Sequence, residues 1–325
     1  MRLLGARASP ACADARRSSV SSGAATKGGT PRRGTRYARS RPRLAVTYTR
    51  GIAPAQRLQS PDSSELADEV RRLVIEQSRR ANTGHIGSCL SIADLVAAVL
   101  SSLRGDPDDP DRDRFVLAKG HAALALYAGL HASGRLDAET LRTFGENASL
   151  LGVHPDHATP HIDFSTGSLG QGLSVGSGAA LAARLAGSSR RAFVLMSDAE
   201  CNEGSVWEAA AFAAHHGLAN LVVLLDANRQ QALGYTADVL EPTPLAERWR
   251  AFGWDVNEVD GHDAPALVDL IDALDTAAGP PHLLLADTVF GKGVSFMEGR
   301  IEWHYSPMSE DQYRDALVQL EAARA

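Results

Sequence analysis

Three short, nearly continuous apolar runs, Ala192–Met196, Leu221–Leu225 and Leu283–Val289, constrain this chain more than any other feature. A helical pattern over Gly204–His216 separates the first two. A strand over Asp255–Val259 and a helix over Ala264–Leu274 precede the third. Strands without polar alternation are buried on both faces, which requires helices packed on each side of a parallel sheet. The expected fold class is therefore α/β, a doubly wound parallel sheet. Upstream, Arg114–Leu117 reads as another short buried strand. Ser63 or Ser64 can cap a helix with apolar Leu66, Val70, Leu73 and Val74, and a second helix follows Ser91. No internal repeat interrupts this order.

Charge divides the chain in two. Residues 1–61 hold twelve Arg, one Lys and a single acid, Asp14, so the net charge of −6 conceals a basic start and an acidic remainder. The first segment is rich in Ser, Gly, Ala and Pro and lacks apolar periodicity, so a disordered basic extension over 1–61 and a folded domain over 62–325 are expected. Three readings fit the extension: an organelle transit peptide, an acidic or nucleic-acid contact, or a non-functional extension. The acidic remainder gives no support to nucleic-acid binding as the main function. The longest apolar runs, such as Leu95–Leu100, are too short to span a bilayer. Three scattered cysteines, Cys12, Cys89 and Cys201, exclude a disulfide framework and a four-cysteine zinc site. A reducing, cytoplasmic compartment fits best.

The strand order has a consequence for chemistry. Asp198 follows the Ala192–Met196 strand and Asn228 follows Leu221–Leu225. Joined by a crossover helix, the two strands are parallel, and both side chains lie at the carboxyl edge where open α/β sheets bind ligands. Asp, Asn and a loop carbonyl form a hard oxygen set suited to Mg²⁺ holding phosphates. A helix cap at Asp198 and a turn at Asn228 explain the same residues without a metal.

The stretch Ser197-Asp198-Ala199-Glu200-Cys201-Asn202-Glu203-Gly204, with Asp226-Ala227-Asn228 beyond it, resembles the thiamine diphosphate motif. Further segments resemble transketolases specifically: Thr83–Gly87, Arg114–Ala122 with its Lys119-Gly120-His121, Val153–Asp156, Ser165–Ser174, and Gly291–Glu298 with Glu302-Trp303-His304. They occur in the family's order over about Ser64 to Leu320. A full transketolase continues into a pyrimidine-binding domain, so the chain resembles the N-terminal subunit of a split, two-component transketolase. The resemblance implies transfer of a two-carbon ketol unit from a ketose to an aldehyde acceptor, with sugar phosphates or related substrates. It implies thiamine diphosphate and Mg²⁺ as cofactors. It also implies a partner subunit carrying the pyrimidine-binding domain, a heterotetramer through self-association, and inactivity of this chain alone.

The resemblance assigns roles by position. Asp198, Asn228 and the Gln230 carbonyl would hold Mg²⁺. Gly167, Ser168, Leu169, Ala199 and Glu200 would lie along the cofactor. His85, His121, His154 and His304 would line the reaction centre, His121 and His304 also touching the cofactor. Glu203 and Glu208 match glutamates that link paired sites, though an exposed helix face explains both equally. A zinc site from His154, His157 and His161 has non-standard spacing. Departures from the family's pattern are Ser197 and Ala199 for glycines of the motif, and Val153, His161 and Tyr305 where split members usually have Gly. A positive φ at Ala199 would add about 1 kcal/mol of strain. An unusual acceptor, a 2-oxoacid-type two-carbon transferase and a degenerate scaffold are the alternatives. Lys119-Gly120-His121 and the Gly291–Met297 segment argue against the 2-oxoacid reading, and retention of Asp198 and Asn228 against the scaffold.

Overall fold

The computed structural model describes residues 62–324; the basic segment 1–61, for which disorder is expected, lies outside the described residues. The strands are β1 (Arg114–Leu117), β2 (Ala192–Ser197), β3 (Leu221–Ala227), β4 (Gln230–Gln231), β5 (Gly234–Tyr235), β6 (Asp255–Asp260) and β7 (His282–Asp287). The helices are α1 (Ser63–Ala81), α2 (Ile86–Ser91), α3 (Ala93–Ser102), α4 (Ala123–Ala132), α5 (Ala138–Arg142), α6 (Gly172–Leu185), α7 (Gly204–His216), α8 (Thr236–Val239), α9 (Leu245–Ala251), α10 (Ala264–Ala273) and α11 (Glu310–Arg324).

Five strands form one sheet in the order β1-β2-β3-β7-β6, and every pair in it is parallel. The apolar runs explain why. Along β2, Phe193 and Leu195 enter one core with α1, α3, α4 and α10, while Val194 and Met196 enter a second core with α6, α7 and α9. Both faces are thus buried, as the missing polar alternation requires. The chain passes β1, β2 and β3 in turn, then jumps to the β6 edge and returns to β7. The winding reverses between β3 and β7, so the carboxyl ends of the central strands face an open crevice.

Local expectations hold with three shifts. The cap of α1 is Asp62, whose carboxylate accepts from the amides of Ser64 and Glu65, not Ser63 or Ser64. An aspartate one residue earlier reaches the free first-turn amides equally well. The helix expected after Ser91 is α3; Ser91 itself ends α2, and its hydroxyl is used at the site described below. The strand expected over Leu283–Val289 ends at Asp287. Ala199 carries no positive φ; it begins a 3-10 turn, so the anticipated strain is absent.

Candidate active site

The site begins at the carboxyl ends of β2 and β3, which run in register with Ser197 level with Asp226. Asp198 is buried and accepts backbone amides from Ala199 at 2.8 Å and Arg229 at 2.9 Å. Arg229 takes a left-handed backbone, φ 62°, which turns the chain between Asn228 and Gln230. Burial, with Asp226 adding repulsion, pushes the Asp198 carboxyl up to about 7. A divalent ion beside a carboxylate held this way would restore its charged form.

Asn228 is oriented from below. Its amide nitrogen donates to Asp226 at 2.8 Å and to the Ser91 hydroxyl at 3.2 Å, while its Oδ1 accepts the Gln230 amide at 2.9 Å. The nitrogen is therefore committed inward and the oxygen faces the loop. Gln230 is buried, and its side-chain oxygen has no hydrogen-bond partner. Asp198, Asn228 and the Gln230 loop thus present hard oxygens together, and this donor set fits Mg²⁺.

Beneath them lies a feature that reading the motifs missed. Asp226 is fully buried and accepts from Lys119, Ser91, Thr288 and Asn228, with the Ser91 hydroxyl at 2.7 Å. Lys119 is equally buried, so the pair is a compensated charge in the core. The only signal for it in the sequence is the Lys in the Lys119-Gly120-His121 segment and the Asp that ends an apolar strand.

The four motif histidines converge. The rings of His85, His121 and His304 lie 5.3 Å apart in all three pairs. His154 is close enough to add to the field on His85 and His121. Its ring packs on Gly167, where an added Cβ would stand 3.2 Å from it. A Cβ on Gly120 would lie 2.8 Å from the Gly167 amide, so the Gly167 and His121 segments meet backbone to backbone. His85 itself sits at φ 63°, and its amide donates to the His304 carbonyl at 3.2 Å. A non-glycine residue held in this region marks a position the surroundings enforce. Burial holds all three clustered histidines below the ordinary imidazole range, His121 well below it and His304 down to about 4. They are neutral near pH 7 and able both to donate and to accept.

The Gly-rich loop closes over this edge. Glu200 accepts the amides of Gly170 and Ser197, each at 3.0 Å, which ties the Ser168–Gly170 segment to the end of β2. Burial pushes the Glu200 carboxyl up to about 7. Ser197 and Ala199 are accommodated: Ser197 ends β2 with its hydroxyl accepting the Glu200 amide at 3.4 Å. Ser168 is exposed and Leu169 half-buried.

Not every expected residue joins the cluster. Glu203 and Glu208 are exposed at and along α7, and Glu203 packs against Gly170 rather than against the histidines. The zinc reading finds no support. His157 contacts the Ser165 hydroxyl at 2.9 Å, and among the described residues no group of three His, Cys, Asp or Glu side chains could hold a metal. His262, absent from the motifs, is a further tie: its ring contacts Asp94 on α3 at 2.8 Å and accepts the Val289 amide at 2.8 Å. That holds the segment leading into Phe290, whose ring stacks 6.2 Å from His304.

Comparison with known proteins places the chain in a family. Residues 62–321 match the family described as transketolase, thiamine diphosphate binding domain. The chain is 40% identical over 257 residues to one of the subunits of the apulose-4-phosphate transketolase of Phocaeicola vulgatus, covering 77% of this chain and 91% of that protein. It is 38% identical over 268 residues to the 6-deoxy-6-sulfo-D-fructose transketolase subunit SqwG of a Clostridium species, covering 81% and 98%. Among solved structures, a Campylobacter jejuni transketolase superposes with a TM-score of 0.74 at 30% identity, covering 80% of this chain and 42% of that one. The chain thus spans nearly all of the two smaller relatives but about two fifths of this larger transketolase.

Proposed function

This chain belongs to the transketolase family through its thiamine diphosphate-binding domain, and from that premise we propose that it transfers a two-carbon ketol unit from a ketose to an aldehyde acceptor as one component of a two-chain enzyme. The observation that carries the proposal is that buried Lys119, whose charge acts on His85, His121 and His304, also pairs with the Asp226 that holds Asn228, so the histidine cluster and the oxygen donors are neighbours.

Asp198, Asn228 and the Gln230 carbonyl would hold Mg²⁺, which would supply positive charge for the diphosphate. The Gly167–Leu169 backbone and the Ala199-Glu200 turn would lie along the cofactor. When bound, thiamine diphosphate supplies the electron-accepting centre that makes the ketose C–C bond cleavable. The chain's own contribution is position and proton handling. His85, His121 and His304, kept neutral by burial, hydrogen-bond substrate hydroxyls and donate where negative charge develops on a carbonyl oxygen. His154, on the exposed side of Gly167, contacts the substrate end that faces solvent. Glu203 acts across the interface between paired sites.

The partner carries the pyrimidine-binding domain and the acid that activates the cofactor. A heterotetramer with two copies of each chain fits that division, and the chain alone is inactive. The two relatives are named for a ketose phosphate and a sulfonated ketose. A ketose with an anionic end group is accordingly the donor class. No described helix is long and apolar enough to cross a membrane. The two described cysteines are buried free thiols, which suits the cytoplasm.

Calorimetric titration of thiamine diphosphate into the assembled enzyme tests the metal assignment. Binding should require Mg²⁺ and fall at least about tenfold in Asp198→Asn and in Asn228→Ala. Equal binding with and without Mg²⁺ would contradict it.

A further inference from the structure

The segment that ends in His304 must be held against the loop that carries Asn228 and Gln230, and two tyrosines make that connection from opposite sides. Tyr305, next to His304, donates its hydroxyl to the Ala232 carbonyl at 2.7 Å. Tyr235, in β5, donates its hydroxyl to the Gly299 carbonyl at 3.0 Å. Each segment contributes one tyrosine and one acceptor. The β4–β5 hairpin starts at Gln230, so these bonds join the oxygen-donor loop to the histidine cluster.

The Tyr305 ring also lies 4.9 Å from the His304 ring. His85, His121 and Phe290 provide the other ring contacts of His304. The Tyr305 amide donates to the Glu302 carbonyl at 3.1 Å, and its own carbonyl lies against Gly84, where an added Cβ would stand 2.5 Å away. Tyr235 and Tyr305 are more than half exposed, at 52% and 59%, so core burial does not hold their rings. The hydroxyl bonds do. An exposed hydrogen bond contributes little alone. Two bonds closing the same pair of segments back each other up, because breaking either leaves the segments joined.

We propose that Tyr235 and Tyr305 form a reciprocal latch that fixes the His304 segment against the Asn228–Gln230 loop, which makes both of them positioning residues for the ketol transfer. The proposal rests on the transketolase reading and extends it to Tyr235, outside the family motifs, and to Tyr305, a departure from the family's pattern.

The test uses Tyr235→Phe, Tyr305→Phe and the double variant, each in the full chain assembled with its partner. Phenylalanine keeps each ring and removes only the hydroxyl. Each single change should raise the thiamine diphosphate Kd, measured with Mg²⁺, by about twofold. The double variant should raise it by about tenfold, more than the product of the singles, with the thermal midpoint unchanged. Amide exchange in residues 230–235 and 299–305 should accelerate clearly only in the double variant. A double effect equal to the product of the singles overturns the latch. So does an affinity loss that merely follows a fall in thermal midpoint. If the assembled protein binds no thiamine diphosphate at all, the functional reading fails, and exchange alone then decides the latch: acceleration confined to the double variant supports it, and unchanged exchange overturns it.

Discussion

At the residue scale, the site is a set of buried polar groups that offset one another's desolvation. Lys119 and Asp226 are the clearest pair, one ammonium and one carboxylate almost wholly withdrawn from water. Lys119→Met would keep the volume and leave Asp226 charged and uncompensated, at a cost of about 3–5 kcal/mol in unfolding free energy. Denaturant titration measures this, and a loss below about 1 kcal/mol would contradict the pairing. The histidines give a pH signature. His304 is held down to about 4 against about 6.5 when unfolded, so between those values the unfolded chain binds the extra proton. Its contribution to stability is present above that window and is lost as pH falls through it. Asp198 and Glu200, raised to about 7, act with the opposite sign, gaining stability on acidification. The bare melting curve therefore mixes both. The thermal midpoint of wild type minus that of His304→Asn should fall as pH drops from 7 to 4, and a difference independent of pH would contradict the assignment. Motif residues such as His85, His121 and Asp198 are legible in the sequence because short spacings carry them. Asp226 and Lys119 stand 107 residues apart, and nothing in either local context announces the other.

At the element scale, close approaches without a Cβ set the geometry. Gly172 opens α6 directly over Ala118, where an added Cβ would stand 2.3 Å from the Ala118 Cβ and 2.8 Å from its Cα. Backbone at the end of β1 cannot yield as a flexible side chain would. Gly172→Ala should therefore push α6 from the turn that carries Lys119 and His121, destabilising the chain by about 1–3 kcal/mol. Calorimetry of the variant checks this, and a thermal midpoint within a degree of wild type would contradict it. The elements themselves are readable from apolar runs, since the two cores need those side chains on alternate faces of β2, β3 and β7. Helix starts are less so. Asp62, Ser63 and Ser64 are all good caps, and only the path of the chain selects Asp62. The helix read after Ser91 is present as α3, but nothing in the sequence announces that the Ser91 hydroxyl donates to Asp226.

At the scale of the whole molecule, strand order decides where chemistry can occur. The reversal between β3 and β7 opens the crevice at the edge where Asp198, Asn228 and Thr288 follow their strands. The apolar runs imply parallel strands but not this order, because the jump to β6 and the return to β7 leave no local mark. The division of labour between two chains is the central claim at this scale. The most direct measurement assays ketol transfer from a ketose phosphate with this chain, a candidate partner chain carrying a pyrimidine-binding domain, thiamine diphosphate and Mg²⁺, with each chain alone as control. Activity in the mixture and in neither chain alone is the predicted result; equal activity from this chain by itself, or none in a mixture that binds the cofactor, would contradict it.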